Sequence, residues 1–147
     1  MSEERRTEKM QLELQLRLEQ LIELQNIASL HQQVIETNTI ILSEIIKARQ
    51  ALKEFTKANK ETLEGLISLG AGVYVNGLIH ISGKVYLDVG AGVVIPLKIE
   101  EAINKLEERE KQIRESIDKA RQSLIRIQNT INQLQSEINA IQAQLKK

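Results

Sequence analysis

The sequence predicts a mainly α protein: two long helices folded back as an antiparallel coiled-coil hairpin, joined by a small β element of two β-hairpins. Three observations carry that prediction. An unbroken four-then-three spacing of apolar residues runs from Ile99 to Leu145. A second long periodic segment precedes it. Between the two, all seven glycines and both tyrosines crowd into residues 65–97. The composition agrees, because the 147 residues include no Trp, one Phe and one Pro, so the apolar mass is Leu, Ile, Val and Ala. Compact cores draw heavily on large aromatic rings, whereas long helices set in Gln, Glu, Lys and Arg do not need them.

Residues 1–7 are charged and are read as a flexible N-terminus, without the apolar run of a secretory leader. Residues 8–63 form the first helix. From Ile27 its apolar row runs through Leu30, Val34, Thr37, Ile41, Ile45, Ala48, Leu52 and Phe55. Two steps of four around Ile41 predict a stutter that locally unwinds the supercoil. A further row of Ile35, Leu42 and Ile46 gives the helix a second apolar face. Nearer its start the pattern broadens to Leu12, Leu14, Leu16, Leu18, Leu21, Ile22 and Leu24. At about 100° per residue, Leu12 and Leu16 point nearly opposite Leu14, Leu18 and Leu21. A two-helix seam buries one of those sides, so the other remains as surplus apolar surface.

Residues 64–97 change character. Gly70-Ala71-Gly72-Val73-Tyr74-Val75 recurs twenty positions later as Gly90-Ala91-Gly92-Val93-Val94-Ile95. Each copy follows a short apolar run, Leu66-Ile67-Ser68-Leu69 and Val85-Tyr86-Leu87-Asp88-Val89. Two β-hairpins with Gly-Ala-Gly at their turns account for both copies. Asn76-Gly77 is placed as a bulge or bend within a long second strand. Isolated hairpins are marginal in water and leave unpaired edges, so this segment is expected to oligomerise. The residues expected at that interface are Leu66, Ile67, Leu69, Val73, Tyr74, Val75, Val85, Tyr86, Leu87, Val89, Val93, Val94 and Ile95. Asp88, beside the second Gly-Ala-Gly, is expected to cap a turn or an interface.

Residues 98–147 form the second helix. Its seam is Ile99, Ile103, Leu106, Glu110, Ile113, Ile117, Ala120, Leu124, Ile127, Ile131, Leu134, Ile138, Ile141 and Leu145, with Glu110 alone not apolar. Such a stripe is the coiled-coil condition, and the helix would extend about 70 Å. Glu110 reads as a register device or a local opening. The two helices are of similar length, so the simplest burial pairs them antiparallel with both chain ends together.

Charge and chemistry narrow the function. Lys plus Arg and Asp plus Glu are 20 each, which gives no basic face for nucleic acid and none for an anionic membrane. Without Cys there is no disulfide frame, thiolate metal site or thiol nucleophile. His31 and His80 are too far apart to suggest a shared metal. No nucleophile arrangement, acid–base pair or phosphate loop is present, so no enzyme and no cofactor is expected. A soluble cytoplasmic protein is expected.

The connector Leu66-Ile67-Ser68-Leu69-Gly70-Ala71-Gly72, followed by a strand and then Val85-Tyr86-Leu87-Asp88-Val89-Gly90-Ala91-Gly92-Val93, closely resembles that of the α class of the archaeal-type prefoldin family. The order helix, two hairpins, helix covers the whole chain, and two hairpins distinguish the α class from the one-hairpin β class. Ser68 departs from the family, which often has proline there. The resemblance implies a hexamer of two α and four prefoldin β subunits, with the hairpins assembled into a double β-barrel. It implies an ATP-independent holding chaperone whose distal coiled-coil ends bind unfolded client proteins and pass them to a group II chaperonin. The surplus apolar end then supplies the client-binding residues: Leu12, Leu14, Leu16, Leu18, Leu21, Ile138, Ile141 and Leu145. The alternative is a structural coiled-coil scaffold or tether that binds no client.

Overall fold

The computed structural model describes residues 2–81 and 83–147. Helix α1 spans Glu3–Ala58, strands β1 and β2 span Thr62–Gly70 and Val73–His80, β3 and β4 span Lys84–Gly90 and Val93–Lys98, and helix α2 spans Ile99–Leu145. Two long helices with a pair of β-hairpins between them are therefore the observed architecture. The first helix begins five residues earlier than the sequence suggests, at Glu3, and stops at Ala58 rather than continuing to residue 63. Asn59 follows with φ of 47°, the left-handed conformation that commonly ends a helix and that Asn tolerates better than most residues.

The chain divides into two compact units. One unit, Met1–Ile40 with Arg114–Lys147, contains the first part of α1 and the last part of α2. Their pairing is antiparallel: Arg17 meets Glu137 at 3.0 Å, while Ala28 lies in the same groove as Leu124. Its core is Leu21, Leu134 and Ile138, with Leu14, Leu24 and Ile131 packed against it. The other unit, Ile41–Ile113, holds the remaining helical segments and both hairpins. There too the helices run antiparallel, with Arg49 on Glu110 and Lys53 on Glu107.

On α2 every one of the fourteen predicted seam positions is buried or half-buried. On α1 the observed seam differs from the predicted one. Besides Glu13, Ile27, Ile46, Phe55 and Ala58, which are half-buried beside it, the buried or half-buried row is Met10, Leu14, Arg17, Leu21, Leu24, Ala28, His31, Ile35, Asn38, Leu42, Ile45, Arg49 and Leu52. These alternate steps of four and three without interruption, so α1 carries a continuous heptad pattern and no stutter. Leu30, Val34, Thr37, Ile41 and Ala48, read as the seam, are exposed. The physical reason is that four true seam positions are polar (Arg17, His31, Asn38 and Arg49), whereas the row beside them is almost wholly apolar. Ile35 and Leu42 belong to the seam proper.

The hairpins are two separate two-stranded antiparallel sheets. Their turns follow the repeat. Ala71 and Ala91 have φ near 50°, and the following Gly72 and Gly92 are at 77° and 75°. Positive φ at both central residues matches the right-handed strand twist. The register slips between Ser68 and Gly70 and again between Asp88 and Gly90. At each slip a side chain caps the glycine N–H, from Asp88 Oδ1 at 2.8 Å and Ser68 Oγ at 3.3 Å. The bulges therefore sit at the turns. Asn76-Gly77 is neither bulge nor bend, because it pairs in regular register with Leu66 and Gly65. Gly77 leaves room for a neighbour: an added Cβ would run into the Ile67 side chain, which would have to shift.

Candidate functional site

Two surfaces follow from this architecture. The first lies in the unit that holds both chain ends. Only one side of a helix fits into a two-helix seam, and near the start of α1 both sides are apolar. Leu21 is buried, Leu14 and Leu24 pack beside it, and Leu12, Leu16, Leu18 and Ile22 are left facing solvent. Leu12 and Ile22 are each more than half exposed, at 58% and 59%. Around them stand Gln11, Gln15, Glu19, Gln20 and Glu23, all exposed. The result is a strip of aliphatic side chains in a polar surround, on a rigid helix.

The eight residues expected to bind client are thus divided. Leu12, Leu16 and Leu18 are free to contact another chain. Leu21 and Ile138 are not: Ile138 is 1% exposed, the largest fully buried side chain of the described residues. Leu14 packs on the same core, and Ile141 and Leu145 are half-buried on α2. A side chain spent on the seam has no apolar area left to offer. Ile22 joins the exposed strip instead. Further along α1, Leu30, Val34 and Ile40 are also exposed, as is Ile125 on α2.

The second surface is formed by the hairpins. Side chains alternate between faces along a strand. In the first hairpin Leu63, Ile67, Val75 and Ile79 share one face, while Leu66, Tyr74 and Leu78 share the other. Both faces therefore carry exposed apolar side chains, the second interspersed with Glu64, Ser68, Asn76 and His80. In the second hairpin Val85, Leu87, Ile95 and Leu97 form a half-buried face, opposite the exposed Tyr86, Asp88 and Val94. Leu66, Ile67, Leu69, Val73, Tyr74, Val75, Tyr86, Val89, Val93 and Val94 are all exposed in the single chain. Two-stranded ribbons with so much uncovered apolar surface are not stable alone in water.

Among the described residues no three potential metal-ligating His, Cys, Asp or Glu side chains converge. No described helix is long and apolar enough to cross a membrane.

Residues 23–144 match the family model described as prefoldin subunit. The chain belongs to the prefoldin family. A curated prefoldin subunit alpha from Pyrococcus horikoshii is 30% identical over 83 residues, an alignment that covers 56% of this chain and 56% of that one. The alignment thus spans little more than half of that relative's length. Among solved structures, filamentous PFD from Methanocaldococcus jannaschii superposes with a TM-score of 0.66, covering 81% of this chain and 98% of the other. At 19% identity that likeness is one of fold. Prefoldins are a non-enzymatic chaperone family whose subunits work in complexes with other prefoldin subunits. Membership therefore gives this chain a chaperone-type role in general terms.

Proposed function

We propose that this chain is an α-class prefoldin subunit that holds non-native polypeptides without nucleotide and delivers them to a group II chaperonin. The observation that carries the reading is the exposed strip of Leu12, Leu16, Leu18 and Ile22, which the helix pair leaves uncovered. Aliphatic side chains on a helix bind without sequence preference. Each contributes about 1.5–3 kcal/mol if fully buried against a client, and less at a partly covered surface. Such contacts are weak singly, but several subunits engaging one client raise the effective concentration of each site. Charged and amide residues between the leucines limit self-association. The α assignment is supported by the presence of two hairpins and by the Pyrococcus relative, and implies two copies with four β subunits in the cytoplasm.

A second reading of the assembly is favoured by one observation: the matching archaeal structure is described as filamentous. In that reading the chain assembles with copies of itself through its hairpins and presents the same leucine strips in an array.

A structural scaffold and a holding chaperone differ in one measurable respect. The assembled complex, with and without a β subunit, is mixed with a denatured aggregation-prone protein and light scattering is followed. Suppression at stoichiometric amounts supports the chaperone; scattering equal to that of the client alone leaves only the scaffold. Native mass of the same samples separates the two-to-four hexamer from a homopolymer.

A further inference from the structure

The seam leaves a second apolar surface on α1, away from the leucine strip. Within the unit Met1–Ile40 with Arg114–Lys147, the helix pair has two flanks. Gln25, Ser29 and Gln32 of α1 line a groove with Ile125 and Gln128 of α2, which marks one flank. At about 100° per residue, Leu30 and Val34 fall on the opposite side of α1, and Lys119 and Arg126 on the opposite side of α2. The antiparallel pairing of Arg17 with Glu137 brings those stretches abreast.

Leu30, Val34 and Ile40 are exposed, Leu30 at 61% and Ile40 at 63%. Asn26, Gln33 and Thr37 stand between them, so from position 26 to 40 this side of α1 carries no charge. Glu23, two turns before Leu30, closes the row. Across from it α2 presents Lys119, Ser123, Arg126 and Thr130, two cations and no acid. Glu115 precedes Lys119 by one turn but makes no ion pair with it. Neither Lys119 nor Arg126 is in a salt bridge among the described residues, and Arg126 Nη2 reaches Ser123 Oγ at 3.3 Å. Elsewhere along the pair Arg17, Arg49 and Lys53 each meet a glutamate across the seam. This flank is therefore an apolar row on one helix beside an unmatched positive row on the other.

Both walls are helical, so their backbone groups are already bonded within the helices. An extended chain laid there would find no partners for its own N–H and C=O groups against the aliphatic row. A helix brings its backbone already satisfied, and an apolar stripe on it matches the four-and-three spacing of Leu30, Val34 and Thr37. Lys119 and Arg126 are seven residues, about 10 Å, apart along α2. Two acids with the same spacing beside the stripe of the incoming helix reach both.

We infer that this flank docks one amphipathic helix of a partner protein, its apolar stripe on Leu30 and Val34 and its Asp or Glu residues toward Lys119 and Arg126. A second copy of this chain does not offer such a helix. Its α1 has uncovered leucines but no two acids seven residues apart. Its α2 has acids so spaced, Glu101, Glu108 and Glu115, but Ile125 is its one exposed large apolar residue among those described. The groove is separate from the strip proposed to hold clients, which ends at Ile22.

The probe is a dye-labelled synthetic helical peptide of about four heptads, with Leu along one stripe and Glu every seventh residue beside it. A control peptide carries Lys in place of Glu. Fluorescence anisotropy is read with the full chain in its native assembly. The Glu peptide should bind about tenfold more tightly than the Lys peptide. L30S/V34S should weaken it about tenfold, K119E/R126E should invert the preference between the two peptides, and L12S/L16S/L18S/I22S should leave it unchanged. Equal binding of both peptides, or binding of neither, overturns the inference. So does loss in L12S/L16S/L18S/I22S with L30S/V34S unaffected, which would make the peptide an ordinary client. A lower native mass of L30S/V34S at unchanged helix content would show that a second copy covers the row, and overturns it as well.

Discussion

Arg49 on α1 and Glu110 on α2 meet at the helix seam, with Nε 3.0 Å from Oε2. A longer hydrogen bond runs from Nη2 to Oε1 at 3.5 Å. The Arg49 Nε is sealed from water but its N–H is not aligned on the carboxylate, so the close approach is a charge contact. Both side chains are less than one-fifth exposed. The one charged residue in the α2 stripe therefore faces a charged residue of the α1 stripe, and a shift of one heptad would leave Arg49 against Ile103 or Ile117 and break the pair. The pair fixes register.

Removing one partner should cost more than removing both. Glu110→Leu leaves Arg49 charged in the seam and should destabilise by about 1–3 kcal/mol, discounted for the residual exposure of the pair. The double variant R49L/E110L should be near neutral or more stable than the unmodified chain. Urea unfolding of the two singles and the double measures this, and a double variant as unstable as the sum of the singles contradicts it.

Ile138→Ala should cost about 2–5 kcal/mol, because the side chain is fully buried against Leu21 and Leu134 and its loss leaves a cavity. Leu30→Ala and Leu12→Ala should each change stability by less than about 0.5 kcal/mol. Those two leucines belong to apolar rows that sequence periodicity alone cannot separate from the core. Equal losses at positions 30 and 138 would return Leu30 to the seam.

Gly77→Ala should destabilise the first hairpin by about 1–3 kcal/mol through overpacking against Ile67. Shortening the obstructing side chain, in I67A/G77A, should recover part of that loss. Thermal unfolding of the single and double variants tests the contact; no recovery would place the strain elsewhere.

How much of this was legible in the sequence differs between the helices. On α2 the stripe is apolar at thirteen of fourteen positions, and each of those positions is covered in the structure. On α1 the seam includes Arg17, His31, Asn38 and Arg49, so a search for apolar periodicity settles on the neighbouring row of Leu30, Val34 and Ile41. The two arginines are accommodated by what lies across the seam, Glu137 for Arg17 and Glu110 for Arg49. A single helix does not carry that information. The same limit applied at the leucine-rich end: the excess of apolar residues was plain, but burial of Leu21 and Ile138 and exposure of Leu12 and Ile22 depend on which face meets α2. The hairpin turns were readable because Gly-Ala-Gly is a local signal. The role of Gly77 was not, because the Ile67 side chain that a Cβ there would meet comes from the opposite strand.

The exposed leucines of α1, outside the seam, are proposed to hold unfolded chains. Deleting residues 1–24 would not test this, since Leu14, Leu21 and Leu24 form part of the core. The direct measurement is light scattering of a denatured client in the presence of L12S/L16S/L18S/I22S, assembled like the unmodified protein and matched to it in native mass and helix content. Most of the protection should be lost with assembly intact. Protection equal to that of the unmodified complex would place client binding elsewhere and contradict it.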